Sequence, residues 1–144
     1  MWANMKSDTY TLEHAKKGVD ETLPVLEVFD NQYSNYEVRI EIPEFTAICP
    51  KTGLPDFGLI VIRYVPNAWL AELKALKLYI HAFRNMGIFQ ENAVNRILRD
   101  FVKAVNPIFC EVSGDFAARG GLRTKVLARY GQEPILEMSK NRAQ

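Results

Sequence analysis

A thiol and a carboxylate, Cys49 and Asp56, stand seven positions apart in the stretch FTAICPKTGLPD, Phe45 to Asp56. A thiolate can add to an electrophilic carbon, and a carboxyl group beside it can move the proton that such an addition requires. Pro50, Gly53 and Pro55 lie between them, so the segment is expected to be neither a helix nor a regular strand. Before it, Tyr36, Val38, Ile40 and Ile42 alternate with Glu37, Arg39 and Glu41; after it comes the apolar run Leu59 to Ile62 with Tyr64 and Val65. If these two strands pair, their connection is far longer than the roughly two to five residues of most hairpin loops, and longer ordered loops are usually functional. On residue types alone Cys49 is a nucleophile or an inert small hydrophobe. Asp56 is its proton partner or a side chain that fixes a turn. Cys110 alternates with Glu111 in an apolar stretch and is assigned to the core.

The elements that must position this pair follow from periodicity. The first strand is expected over Tyr36 to Ile42, ended by Pro43, and the second over Gly58 to Val65, ended by Pro66. From Ala68 the apolar residues Leu73, Leu76, Ile80 and Phe83 recur at three- and four-residue steps, which predicts a helix broken at Gly87. A second helix is expected over Phe89 to Val105, stopped by Asn106-Pro107. A third strand follows over Ile108 to Phe116, then a turn at Arg119-Gly120-Gly121 and a fourth strand over Leu122 to Ala128. The order ββααββ predicts an α+β fold, an antiparallel four-stranded sheet with two helices on one face. Residues 1–33 are expected to form an N-terminal arm, 34–131 the domain, and 132–144 a polar, loose tail. The edges of so small a sheet argue weakly for association with further copies.

A chain of 144 residues makes one domain. Eighteen basic and 17 acidic residues give a net charge of +1, a balance that argues against direct nucleic-acid or anionic-membrane binding. No apolar run approaches the roughly 20 residues of a membrane span. The first ten residues hold no apolar signal segment. Two cysteines without an export signal suggest a reducing cytoplasm, and two cysteines with two histidines at unrelated spacings suggest no metal site.

Three pieces of the chain resemble a known family. The first is the Cys49 stretch with Pro55-Asp56-Phe57. The second is the octapeptide Glu72-Leu73-Lys74-Ala75-Leu76-Lys77-Leu78-Tyr79. The third is Phe83-Arg84-Asn85 leading into Phe89-Gln90-Glu91, with Arg119-Gly120-Gly121 later. Together, over roughly Tyr36 to Tyr130, they resemble the single-domain QueF-type nitrile reductases of the tunnelling-fold superfamily. That family reduces 7-cyano-7-deazaguanine to a primary amine with two NADPH, in queuosine (tRNA modification) biosynthesis. The resemblance implies Cys49 as nucleophile and Asp56 as proton donor. It implies Ala71, Glu72, Leu73, Phe89, Gln90 and Glu91 around the substrate, with Glu91 reading its guanine-like edge. It also implies Leu73, Lys74, Lys77, Arg119 and Gly120 for NADPH, and a homo-oligomer with sites between subunits. No G-x-G-x-x-G follows a strand, so the cofactor would bind outside a Rossmann fold, its phosphates on lysines and Arg119.

Thiolate addition to a nitrile gives a thioimide, provided the nitrogen is protonated as charge develops. An ionised acid beside the thiol would oppose thiolate formation, so Asp56 is expected neutral, protonated by burial. One position departs from the family: Gln90 stands where histidine is usual, and an amide cannot shuttle a proton near neutral pH. Other readings of the same residues remain. Lys74 and Lys77 suit a solvated helix face, Glu91 a favourable charge at a helix start, Gly120-Gly121 a hairpin turn, and His14 and His81 the surface. The rival functions are an amidinotransferase-like enzyme acting on the same nitrile and a non-catalytic purine- or pterin-binding module.

Overall fold

The alternation from Tyr36 to Ile42 does make a strand, but the strand does not stop at Pro43. In the computed structural model, which describes residues 10–137, it runs from Val38 to Ile48 as β2. Against its partner β3, Pro55–Val65, it slips register by one residue between Ile42 and Phe45. Pro43 sits in this bulge on an edge strand, where the missing N–H costs no ladder bond. The expected long loop therefore shrinks to residues 49–54. Cys49 follows the last residue of β2, and Asp56 lies inside β3, paired with Ala47.

The remaining elements follow the expected order with shifted ends. α1 is Leu12–Lys16, β1 is Val28–Asp30 and β4 is Trp69–Ala71. α2 is Leu73–His81, prolonged by a 3-10 turn over Ala82–Asn85; α3 is Gln90–Val105, β5 is Phe109–Phe116 and β6 is Lys125–Tyr130. The helix expected from Ala68 starts later because Trp69–Ala71 pairs with Val28–Asp30 in a two-stranded ribbon. Glu72 then caps α2, its carboxylate accepting from Lys74 N at 2.9 Å and Ala75 N at 2.7 Å. α3 ends at Asn106, whose φ of 48° places it in the left-handed region before Pro107. The fourth strand begins at Lys125 rather than Leu122, because Arg119 and Leu122 exchange backbone hydrogen bonds across the Gly120-Gly121 turn.

The main sheet has the order β2-β3-β5-β6, antiparallel throughout. Ile60, Ile62 and Tyr64 of β3 and Cys110, Val112 and Phe116 of β5 form one face. This face packs on Leu76, Tyr79 and Ile80 of α2 and Val94, Ile97 and Phe101 of α3. Both helices cover this face, as the α+β reading required. On the opposite face Arg63 pairs with Glu37 and Glu111, Arg129 with Glu111, and Glu133 reaches back to Arg63. The segment after Gly131, expected to be loose, is thus held by Glu133 and by Glu137 with Asn35; residues 138–144 of that tail lie outside the described residues.

The described part of the expected N-terminal arm also lies on the body; residues 1–9 lie outside the described residues. Gly18 has φ +78°, and a Cβ there would meet Gly87 O at 2.5 Å, so only glycine permits this approach. Arg96 of α3 is buried and donates to Gly18 O and Glu21 O, with Nε 3.2 Å from Asp100. Asp100 in turn accepts from Tyr79 OH at 2.6 Å. Replacing Arg96 with methionine leaves two carbonyls and a carboxylate without their shared donor. We predict a loss of roughly 3 kcal/mol of unfolding free energy in a urea titration, with faster proteolytic cleavage between Lys17 and Leu26.

Candidate active site

Where β2 ends, its last residue is tied to the far side of the chain. Ile48 N donates to Met86 O and Ile88 N to Ile48 O, both at 2.9 Å, a short parallel bridge to the connection between α2 and α3. The bridge brings Cys49 beside Phe89, Gln90 and Glu91. The loop after Cys49 closes on itself: Cys49 N donates to Leu54 O and Gly53 N to Cys49 O, each at 2.9 Å. Gly53, at φ +68°, makes the return possible.

These constraints build a cavity of about 290 Å³ lined by Cys49, Asp56, Phe89, Gln90, Glu91, Ala117, Arg119, Leu122 and Thr124. Six expected site residues meet there from four parts of the chain. Its volume sits near the lower end of small-molecule sites, roughly 300–1,000 Å³. That is room for a bicyclic base and not for a dinucleotide beside it. Glu91 stands in the first turn of α3 and is exposed; Phe89 and Gln90 are half-buried. Tyr10, which sequence reasoning passed over, packs beside Phe89 and Lys51. Its ring is 6.2 Å from that of Phe89, and Lys51 Nζ is 5.4 Å from its centroid.

The thiol is tuned by its own loop. Burial pushes Cys49 up, but hydrogen bonds from the Thr52 side chain and from the backbone of Thr52 and Lys51 outweigh burial, and Cys49 ends below the ordinary thiol value. The nearby Asp56 opposes this shift. Cys110, buried in apolar surroundings beside Glu111, is pushed up to about 12. The Thr52 contribution was not foreseen; its signal was the return of the chain at Gly53, which brings the hydroxyl under the sulfur.

Asp56 is buried, as expected, but not alone. Arg119 Nη1 donates to its Oδ1. A buried carboxylate that receives a charge-assisted hydrogen bond from a guanidinium is an ion pair. The sequence reading weighed burial alone and did not foresee this partner. Arg119, whose side chain is 40% exposed, is the one basic group among the described residues lining the cavity.

The other expected residues lie elsewhere in the same chain. Ala71 is buried, its N–H donating to Tyr64 OH at 3.2 Å. Glu72 is occupied as the α2 cap. Leu73 and Lys77 line a different groove, with Leu76, Ile80, His81 and Arg84 against the bulge of β2, while Lys74 is exposed on α2. Gly120, at φ +56°, shapes the turn that carries Arg119.

The fold is that of a tunnelling-fold protein, and its cavity holds a thiol of lowered proton affinity. Among solved structures, the archaeosine synthase QueF-Like in its apo form superimposes with a TM-score of 0.65 at 21% identity, covering 72% of this chain and 100% of that one, a likeness of fold alone. Residues 55–135 match the family described as QueF-like protein. The NADPH-dependent 7-cyano-7-deazaguanine reductase of Elusimicrobium minutum is 53% identical over 122 residues, 84% of this chain and 92% of that protein. The reductase of the same name from Chloroherpeton thalassium is 54% identical over 111 residues, 76% of this chain and 96% of that protein. The chain belongs to the QueF-like family.

Thr52→Val removes the hydroxyl that favours the thiolate while keeping the side-chain shape. Losing that hydrogen bond moves the Cys49 half-point up, and the thiolate fraction at a given pH falls with it. Alkylation of Cys49 by iodoacetamide, followed by peptide mass spectrometry, is therefore expected to slow severalfold, most at the lowest pH tested. Thr52→Ser is expected to stay near wild type, and Cys110 in the same digest to stay unlabelled.

Proposed function

We infer that this protein is an NADPH-dependent 7-cyano-7-deazaguanine reductase, taking the nitrile to the primary amine through a covalent adduct on Cys49. The observation that carries this reading is the meeting of a thiol of lowered proton affinity, a buried carboxylate and the Phe89-Gln90-Glu91 segment around one base-sized cavity. The family membership agrees with it.

The residues do the following. The sulfur of Cys49 forms a bond to the nitrile carbon, and the nitrogen takes a proton as one π bond breaks. Nothing is lost, so the product is a thioimide. Because Asp56 sits in an ion pair, that proton originates on Cys49: Asp56 accepts it as the thiolate forms and passes it to the nitrogen. Glu91, exposed at the cavity rim, accepts from the N–H groups of the guanine-like edge, and Phe89 covers a ring face. Gln90 contributes hydrogen bonds only. Collapse of the reduced adduct expels the Cys49 thiolate and leaves an imine. Two NADPH molecules, bound in turn, would each supply one hydride, which with two protons complete the amine.

The residues present fit such a polyanionic cofactor in part. The half-exposed guanidinium of Arg119 suits a phosphate. Lys74 and Lys77 are exposed but stand on α2, away from the thiol. We therefore propose that Leu73, Lys74 and Lys77 serve the cavity of a second copy, in a homo-oligomer with shared sites. The exposed Leu73 and Leu78 and the open edges of β2 and β6 support this. Two unpaired thiols suit a cytoplasmic setting. No helix among the described residues is long and apolar enough to cross a membrane.

Mixing the protein with 7-cyano-7-deazaguanine is expected to add the whole substrate mass to the intact chain, and NADPH is then expected to be consumed with release of the amine. Cys49→Ala should show neither event. An adduct surviving in that variant, or NADPH-independent conversion in the presence of ammonia, would remove the reading.

A shared site makes a second prediction. Cys49→Ala alone and Lys74→Ala/Lys77→Ala alone should both oxidise NADPH poorly, the latter through a raised KM for NADPH. Co-expressed and co-purified, they should regain activity, since a hybrid site draws its thiol from one chain and its lysines from the other. No regain would place both sets in the same chain's site.

A further inference from the structure

Arg119 can engage only one anion at full strength, and this structure commits it to Asp56. We propose that Arg119 is a positioning residue that sets the proton state of Asp56, and that it exchanges Asp56 for a phosphate of the cofactor. The inference rests on the reductase reading given above.

The observations are geometric. Asp56 is 5% exposed and has no route to bulk water comparable to that of Arg119, whose side chain is 40% exposed. Arg119 is carried on a two-glycine turn, and a Cβ at Gly120 or Gly121 would meet nothing within 4 Å, so the turn has open space around it. The charged and titratable groups facing Asp56 in the cavity are few. Cys49 comes from the loop, Glu91 from α3 and Arg119 from the turn after β5; β3 adds no further charged group to the lining. Two of these are acidic in character, and only Arg119 stabilises the carboxylate. Once Arg119 turns away, Asp56 is left buried beside a sulfur and a glutamate, surroundings that favour its neutral acid.

The exchange gives Asp56 two settings for the two halves of one reaction. With Arg119 paired to it, Asp56 is a carboxylate that can accept the Cys49 proton and deliver it to the nitrile nitrogen. With Arg119 on a phosphate, Asp56 takes a proton from water entering through the cavity and holds it for the nitrogen of the reduced adduct. Each proton is thus accounted for, and the arrival of the cofactor turns the base into the acid.

Isotope-edited infrared difference spectroscopy on protein carrying carboxyl-labelled aspartate reads this directly and tolerates an oligomer. The Asp56 band is identified by its loss in Asp56→Asn. In Arg119→Gln the pH at which half of Asp56 is protonated should rise, because the cation that favours its carboxylate is gone, and Arg119→Lys, which restores the charge, should return it toward wild type. Saturating NADP⁺ should move the wild-type half-point toward that of Arg119→Gln and leave Arg119→Gln unmoved. The wild-type arm needs no substitution at Arg119, so a misfolded Arg119 variant does not remove the test. Equal half-points in wild type and Arg119→Gln overturn the pairing, and NADP⁺ bound by calorimetry without a shift overturns the exchange. No binding of NADP⁺ overturns the exchange together with the cofactor reading. A NADP⁺-dependent shift in a protein that forms no nitrile adduct upholds Arg119 and overturns the substrate reading alone.

Discussion

Two backbone hydrogen bonds at Ile48 hold the site together. β2 and β3 deliver Cys49 and Asp56 side by side, as any hairpin could. The hairpin alone has no means of presenting them to Phe89, Gln90 and Glu91, which begin a helix some forty residues later. Ile48 supplies that means by pairing with the stretch from Met86 to Ile88. Gly18 lies against this stretch at a distance no side chain would allow. Backbone bonds buried in this way are costly to leave unmade, so the relation between the thiol and the helix start is set by the main chain and does not rely on either side chain.

Within that frame the electrostatics are local and opposed. Hydrogen bonds inside the Cys49 loop favour the thiolate; burial and the neighbouring Asp56 disfavour it. Asp56 is in turn held by Arg119, which belongs to neither hairpin strand but to the turn between β5 and β6. The thiol comes from the loop after β2, the acid from β3 and the cation from the turn between β5 and β6. Such a chain of influence can be adjusted by moving one exposed side chain, while the buried members stay in place.

Much of this was legible beforehand. The helix pair, the antiparallel sheet and the face each element buries follow from periodicity, because burial dominates those segments. Pro43 misled because proline was weighed as a strand breaker, whereas an edge strand accommodates it at a bulge. Trp69 to Ala71 resembled the start of a helix because its partner, Val28 to Asp30, lies forty residues earlier in a segment with little pattern of its own. Cys49 and Asp56 stood out by residue type and spacing, Phe89, Gln90, Glu91 and Arg119 by resemblance to a family, and the fold brings all six to one cavity. The Arg119 ion pair was not legible, since no local spacing connects residues 63 positions apart. Nor was the separation of Lys74 and Lys77 from the thiol within one chain, which depends on where α2 packs.

The pairing of β3 with β5 has a kinetic meaning. It is the one neighbour relation in the main sheet that spans both helices; β2 with β3 and β5 with β6 are joined by short connections. Contacts between segments distant along the chain form late, because their loop entropy must be overcome first. The nucleophile and the carboxylate lie before this junction and the guanidinium after it. A nascent chain with only its first hairpin formed therefore carries the thiol without the group that governs its neighbour, and the complete constellation comes into being with the slowest step of folding.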